Sequence, residues 1–260
     1  YISSSVNEMV YQVKYRGREV VGDSRAGLQL DNRTWELALA RKINQANCWM
    51  DNLEVDSVIY QPAVDKTWHP LYGERSTIHD AYNAATMYLS KKDGSNYRLN
   101  IEVRAYDEGI AFRYFFPEHP QAIFHKVVGD LTEYTFPPGA MAWAEQWAQA
   151  PFEHLAINDI KQPVERALTV ELSNGLWVAL TDADVDDWCL TKLVASPTKQ
   201  NTLTSVMYSP VDIVTYYATP WKVIMAADKP GELLEHNDII QNLNPPCEIT
   251  DTDWIRPGKI

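Results

Sequence analysis

An all-β fold of packed antiparallel sheets is what this sequence predicts, and three observations carry the expectation. Apolar and polar residues alternate with period two over one short stretch after another, as in strands with one buried face. Turn residues bound those stretches: Arg16-Gly17-Arg18, Asp93-Gly94, Asp107-Glu108-Gly109 and Ser173-Asn174-Gly175. Helical periodicity is scarce. Many short strands with frequent turns point to a large two-sheet sandwich.

The elements follow in chain order. Met9 to Tyr15 (MVYQVKY) alternates and turns at Arg16-Gly17-Arg18 into Glu19-Val20-Val21, a hairpin. Arg33 to Ile43 (RTWELALARKI) reads as a helix on propensity alone. Ala85 to Ser90, Tyr97 to Tyr106 and Ile110 to Phe116 form a three-strand meander, with Leu99, Ile101 and Val103 on one face. Phe124 to Val128 and Glu133 to Phe136 are short strands. Arg166 to Leu172 and Leu176 to Leu180 flank Ser173-Asn174-Gly175, where glycine supplies a positive φ. Leu203 to Tyr208, Ile213 to Tyr217 and Trp221 to Ala227 complete the strands, the last starting after Pro220 as strands tolerate. Glu232 to Leu243 has room for a helical turn. No repeat or internal linker interrupts the chain, so residues 1–260 are expected to form one domain. Tyr1 in place of Met implies an upstream segment removed.

Composition excludes some functions. The net charge is −12, with no Lys/Arg stripe to release counterions from phosphates, which argues against nucleic acid. No apolar run approaches the roughly 18–20 residues of a membrane helix. Cys48, Cys189 and Cys247 are too few and too odd for a disulfide scaffold, though one pair remains open. The nine tryptophans suit either packing or stacking on sugar rings.

Residues able to carry chemistry are scattered. Asp182, Asp184, Asp186 and Asp187 cluster after a strand, and clustered carboxylates on a loop suit Ca²⁺. The EF-hand glycine is missing, however, and Leu193 stands where its bidentate Glu belongs. Glu74, Glu145 and Glu153 lie near aromatics, as glycosidase carboxylates do, but their separations decide the matter. Among the histidines (His69, His79, His119, His125, His154 and His236), Phe152-Glu153-His154 is the most suggestive setting. Glu153 and His154 act together only on a loop, since neighbours in a strand face opposite ways.

The C-terminal third carries a resemblance. Thr219 to Ile224 (TPWKVI), Asn242-Leu243-Asn244 and Asp253 to Lys259 (DWIRPGK) resemble the end of the N-terminal domain of glycoside hydrolase family 97. Asp23 to Leu28, Trp68 to Glu74 with Tyr82-Asn83, and above all Tyr106 to Tyr114 (YDEGIAFRY) are similar in order and spacing. The resemblance implies a galactose-mutarotase-like sandwich, inactive alone, in a bacterial α-glucosidase or α-galactosidase of the periplasm or extracellular space. It places the linker to a catalytic (β/α)8 barrel at residues 250–260 and the catalytic residues beyond it. It also makes Asp182, standing where the family has Glu, a Ca²⁺ ligand. Trp143 and Trp147 become candidates for lining the substrate pocket between sandwich and barrel. A stand-alone carbohydrate-binding module and a mutarotase-like epimerase using His154 are the rival readings.

Overall fold

The computed structural model describes residues 2–5, 8–31, 33–36, 41–44, 53–92, 97–120 and 123–258. The Asp93-Gly94 turn and Cys48 lie outside them. The chain opens with β1 (Ile2–Ser5), β2 (Glu8–Tyr15), β3 (Arg18–Ala26) and β4 (Leu28–Leu30). Arg16 (φ 49°) and Gly17 (φ 78°) make the two-residue turn between β2 and β3, both left-handed as a tight hairpin requires. Next come β5 (Arg33–Glu36), β6 (Arg41–Asn44), β7 (Leu53–Tyr60) and β8 (Val64–Trp68). The expected helix over Arg33 to Ile43 is therefore corrected at both of its ends, while residues 37–40 lie outside the described ones. Arg33–Glu36 and Arg41–Asn44 pair antiparallel, and Trp35 stands opposite Phe124 in the sheet.

The meander is β9 (Ile78–Lys91), β10 (Arg98–Ala105) and β11 (Gly109–Phe116), as expected, with β9 far longer than its alternating stretch. Then follow β12 (Ile123–Asp130), β13 (Glu133–Thr135), β14 (Met141–Ala144), β15 (Glu153–Ala156) and β16 (Leu168–Glu171). The last strands are β17 (Trp177–Ala183), β18 (Thr191–Ala195), β19 (Thr202–Met207), β20 (Val211–Val214), β21 (Tyr217–Ala218) and β22 (Trp221–Ala227). Two short helices close the fold, α1 (Glu232–Glu235) and α2 (Asp238–Leu243).

One layer of the sandwich is an eleven-stranded sheet ordered β15-β14-β16-β17-β22-β11-β10-β9-β7, with β21 on β11 and β8 on β9. The other layer is a six-stranded sheet, β1-β2-β3-β13-β19-β18, and a five-stranded one, β20-β12-β5-β6 with β4 on β12. Inward residues of all three sheets share one core that includes Tyr11, Leu30, Phe112, Tyr114, Tyr134, Val178, Leu203 and Ile224. The outer face of the large sheet has its own smaller core. There Ala111, Ala179, Trp221, Val223 and Met225 lie under Leu233, Ile239 and Leu243 of the helices. Among the described residues no helix is long and apolar enough to cross a membrane.

Candidate functional site

Three strands of the large sheet, β14, β16 and β17, end together, and Glu145, Trp147 and Asp182 of the residues singled out from the sequence lie at that end. Thr169 pairs with both Trp143 and Ala179, so the Glu145–Trp147 segment, Arg166 and Asp182 fall side by side. They do not share a face. Ala142, Ala144, Val178 and Leu180 point into the sandwich core, so Asp182 points inward and Trp143 outward.

Asp182 is 3% exposed at its side chain, and its Oδ2 is fully engaged. Arg166 forms an ion pair with it, the Thr191 hydroxyl donates to it at 3.0 Å, and the Lys222 ammonium stands 3.7 Å away. Lys222 pairs in turn with Asp130 at 2.5 Å. Burial alone pushes the Asp130 carboxyl up, but Lys222 and two hydrogen bonds from Thr132 override it and hold it below the usual carboxylate range. The four groups balance in charge and are sealed between the layers.

The other acids of that turn diverge. Asp184 (φ 55°) accepts from Arg113 at 3.1 Å on the outer face. Asp186 and Asp187 are exposed, and their carbonyls accept from the Tyr217 hydroxyl at 3.3 and 3.1 Å. Burial, then Asp187, Asp186 and Asp184, push that phenol up to about 12. A calcium ion takes six to eight oxygens. Around Asp182 stand two side-chain cations instead, and among the described residues no three His, Cys, Asp or Glu converge as a metal group does. The groups this chain brings around Asp182 do not by themselves make a calcium donor set: its Oδ2 is an internal ion-pair partner, and its Oδ1 is buried with no hydrogen-bond partner among the described residues.

Trp143 lies on the outer face, its indole stacked on the His154 ring at 4.4 Å and 19°. His154 is on a strand, so Glu153 faces away from it, and the loop that a joint role requires is absent. The carboxylate near His154 is Glu171, 3.8 Å away across β14. Trp147 sits in the loop after β14, more than half exposed, in a cleft with Tyr208. His125 is wholly buried against Phe116 and Tyr97, and burial, aided by His119, pushes it down to about 3. Cys189 and Cys247 are free.

Sequence reasoning missed one cluster on the outer face. The Arg104 guanidinium lies 4.6 Å from the Tyr82 ring and 4.8 Å from Trp221, and Arg113 lies 4.4 Å from Trp221 and pairs with Glu102 at 2.6 Å. The alternation that put Ile101 and Val103 inward already put Glu102 and Arg104 outward. Nothing local showed that Trp221 would meet both arginines.

Comparison with known proteins agrees with this architecture. The family model described as glycosyl-hydrolase 97 N-terminal matches residues 2–246. A retaining alpha-galactosidase of Bacteroides thetaiotaomicron is 23% identical over 98% of this chain and 41% of its own length. A probable retaining alpha-galactosidase of Streptomyces bingchenggensis is 23% identical over 99% of this chain and 38% of its own. A glycoside hydrolase family 97 enzyme of Pseudoalteromonas sp. strain K8, solved in complex with acarbose, superposes with a TM-score of 0.86 at 21% identity. The match covers 99% of this chain and 38% of that one. The chain thus spans about two fifths of the relatives it matches.

Proposed function

The chain belongs to the glycosyl-hydrolase 97 N-terminal family, and from that premise we propose that it is the non-catalytic sandwich of a bacterial α-glycosidase. The observation that carries this reading is the extent of the match. The family model takes up residues 2–246, yet the chain spans only 41% and 38% of the two alpha-galactosidases. The bond-breaking carboxylates then belong to the portion of the relatives that this chain does not match, a catalytic barrel. The sandwich packs on that barrel and shapes its pocket, since sites favour domain interfaces. The two relatives described above are both named for α-galactosides, which we take as the first substrate class, with α-glucosides second. A periplasmic or extracellular place accords with such substrates.

The test compares this chain with the protein extended through the region its relatives add, on aryl α-galactoside and aryl α-glucoside. Only the longer protein is expected to cleave either substrate. Turnover by the 260-residue chain alone would place a working carboxylate pair within it and end this division of labour.

A further inference from the structure

The cleft between Trp147 and Tyr208 has chemistry that the core and the acidic turn leave unused. It lies where the loop after β14 meets β18, the edge strand of the six-stranded sheet, and its neighbour β19, and it encloses about 340 Å³. Trp147 is 54% exposed and Tyr208 80%, so two large aromatic faces stand open to water beside one groove. The groove is braced beneath them. Lys192 Nζ pairs with Glu165 at 2.7 Å and donates to the Gln146 carbonyl at 2.7 Å. The Tyr208 amide donates to the Leu190 carbonyl at 2.8 Å, which fixes the phenol's base. Gln146 and Gln162 add side-chain amides to the lining, and Val206 an apolar wall.

We propose that this cleft binds a neutral saccharide and holds it without cleaving it. The C–H face of a pyranose suits an indole or phenol face, while the two glutamines and Lys192 offer hydrogen bonds to hydroxyls. Charge selects against anions: Glu165 neutralises the one cation of the lining, in a chain of net charge −12. Among the described residues no Asp, Glu or His lines the cleft, and the nearby Glu165 carboxylate is tied to Lys192, so the lining offers no carboxylate pair for glycoside chemistry. The class of ligand rests on the reading that the chain serves a glycosidase, whereas the place rests on geometry alone.

The experiment titrates maltotriose and raffinose separately into the chain, followed by tryptophan fluorescence and calorimetry. Saturable millimolar binding of at least one sugar is expected. Trp147→Ala and Tyr208→Ala should each weaken it by about tenfold or more. Tyr60→Ala, an equally open aromatic on β7, should leave it unchanged. Thermal midpoints of the variants show that they remain folded. No saturable binding of either sugar, or binding that survives both cleft substitutions, overturns the proposal. The readout is binding by this chain, so it fails independently of the hydrolysis test: intact cleavage by the longer protein with no binding here sinks the cleft alone.

Discussion

Lys222 shows how little a single residue's meaning is visible along the chain. It falls in WKVIMAA, a stretch whose seven residues are all buried, and a lysine there is an expense unless it is paired. Its partners come from strands far off in sequence, Asp130 at the end of β12 and Asp182 in β17. Asp182 was legible as an acid of interest. Arg166, Thr191 and Lys222, which decide what it does, were not, because only strand register brings them to it. Lys222→Met should destabilise the protein by about 3–5 kcal/mol near neutral pH, since it leaves a buried carboxylate uncompensated. The sign with pH is fixed. Asp130 is held low by Lys222, so the pair's contribution is present above the ordinary carboxylate range and fades as pH falls through the folded value. Without Lys222, burial dominates and Asp130 takes up a proton more readily, so the deficit should narrow in acid. Urea unfolding of both proteins at neutral and acid pH checks this, and a deficit that does not change with pH would contradict the pairing.

At the level of elements, alternation was a good guide and propensity a poor one. The hairpin β2–β3, the meander β9–β11 and the strands β16, β17 and β19 stand where period two put them, with ends that differ by a few residues. β22 stands where its start after Pro220 put it, while the strand expected over Ile213 to Tyr217 is split by a bend between β20 and β21. Arg33 to Ile43 misled because Leu, Ala, Glu and Arg favour helix locally, while cross-strand pairing decides the outcome. The N-terminal half of β9 was missed for the opposite reason: its residues His79 to Ala84 are mostly polar or small and show no clean alternation. Two-sided exposure hid β7, whose residues are nearly all open and so carry no inward face to signal. Gly109 is where an element depends on one atom. A Cβ there would collide with the Ile224 carbonyl oxygen and come within 2.9 Å of the Met225 Cα, both backbone of the neighbouring β22. Backbone cannot step aside without opening the β11–β22 ladder. Gly109→Ala should therefore cost about 1–3 kcal/mol in a denaturant melt. Gly231→Ala, with nothing within 4 Å, should be close to neutral. Equal midpoints for the two variants would show that the ladder tolerates the intrusion.

Across the whole molecule, burial grades from the middle of the large sheet to its edge. β22 pairs with β17 on one side and β11 on the other, with the sandwich core against one face and α1–α2 against the other. β7 ends the same sheet and exposes Val55, Val58, Ile59 and Tyr60. The helices that cover β22 have four and six residues, too short to persist alone, so they form because the apolar outer face needs a lid. Side-chain bonds pin that lid: Trp68 Nε1 donates to Asn242 Oδ1 at 2.8 Å, and Arg75 pairs with Asp238 at 2.5 Å. Opening β22 therefore requires the lid to lift and two ladders to part, which approaches global unfolding. Opening β7 breaks one ladder and exposes little that is not already wet. Native-state hydrogen exchange should rank peptides covering Trp221–Ala227 among the most protected and Leu53–Tyr60 among the least, with the two helices between them. If the helices outlast β22, or β7 exchanges as slowly as β22, the stability of this sandwich is not organised about its central strand.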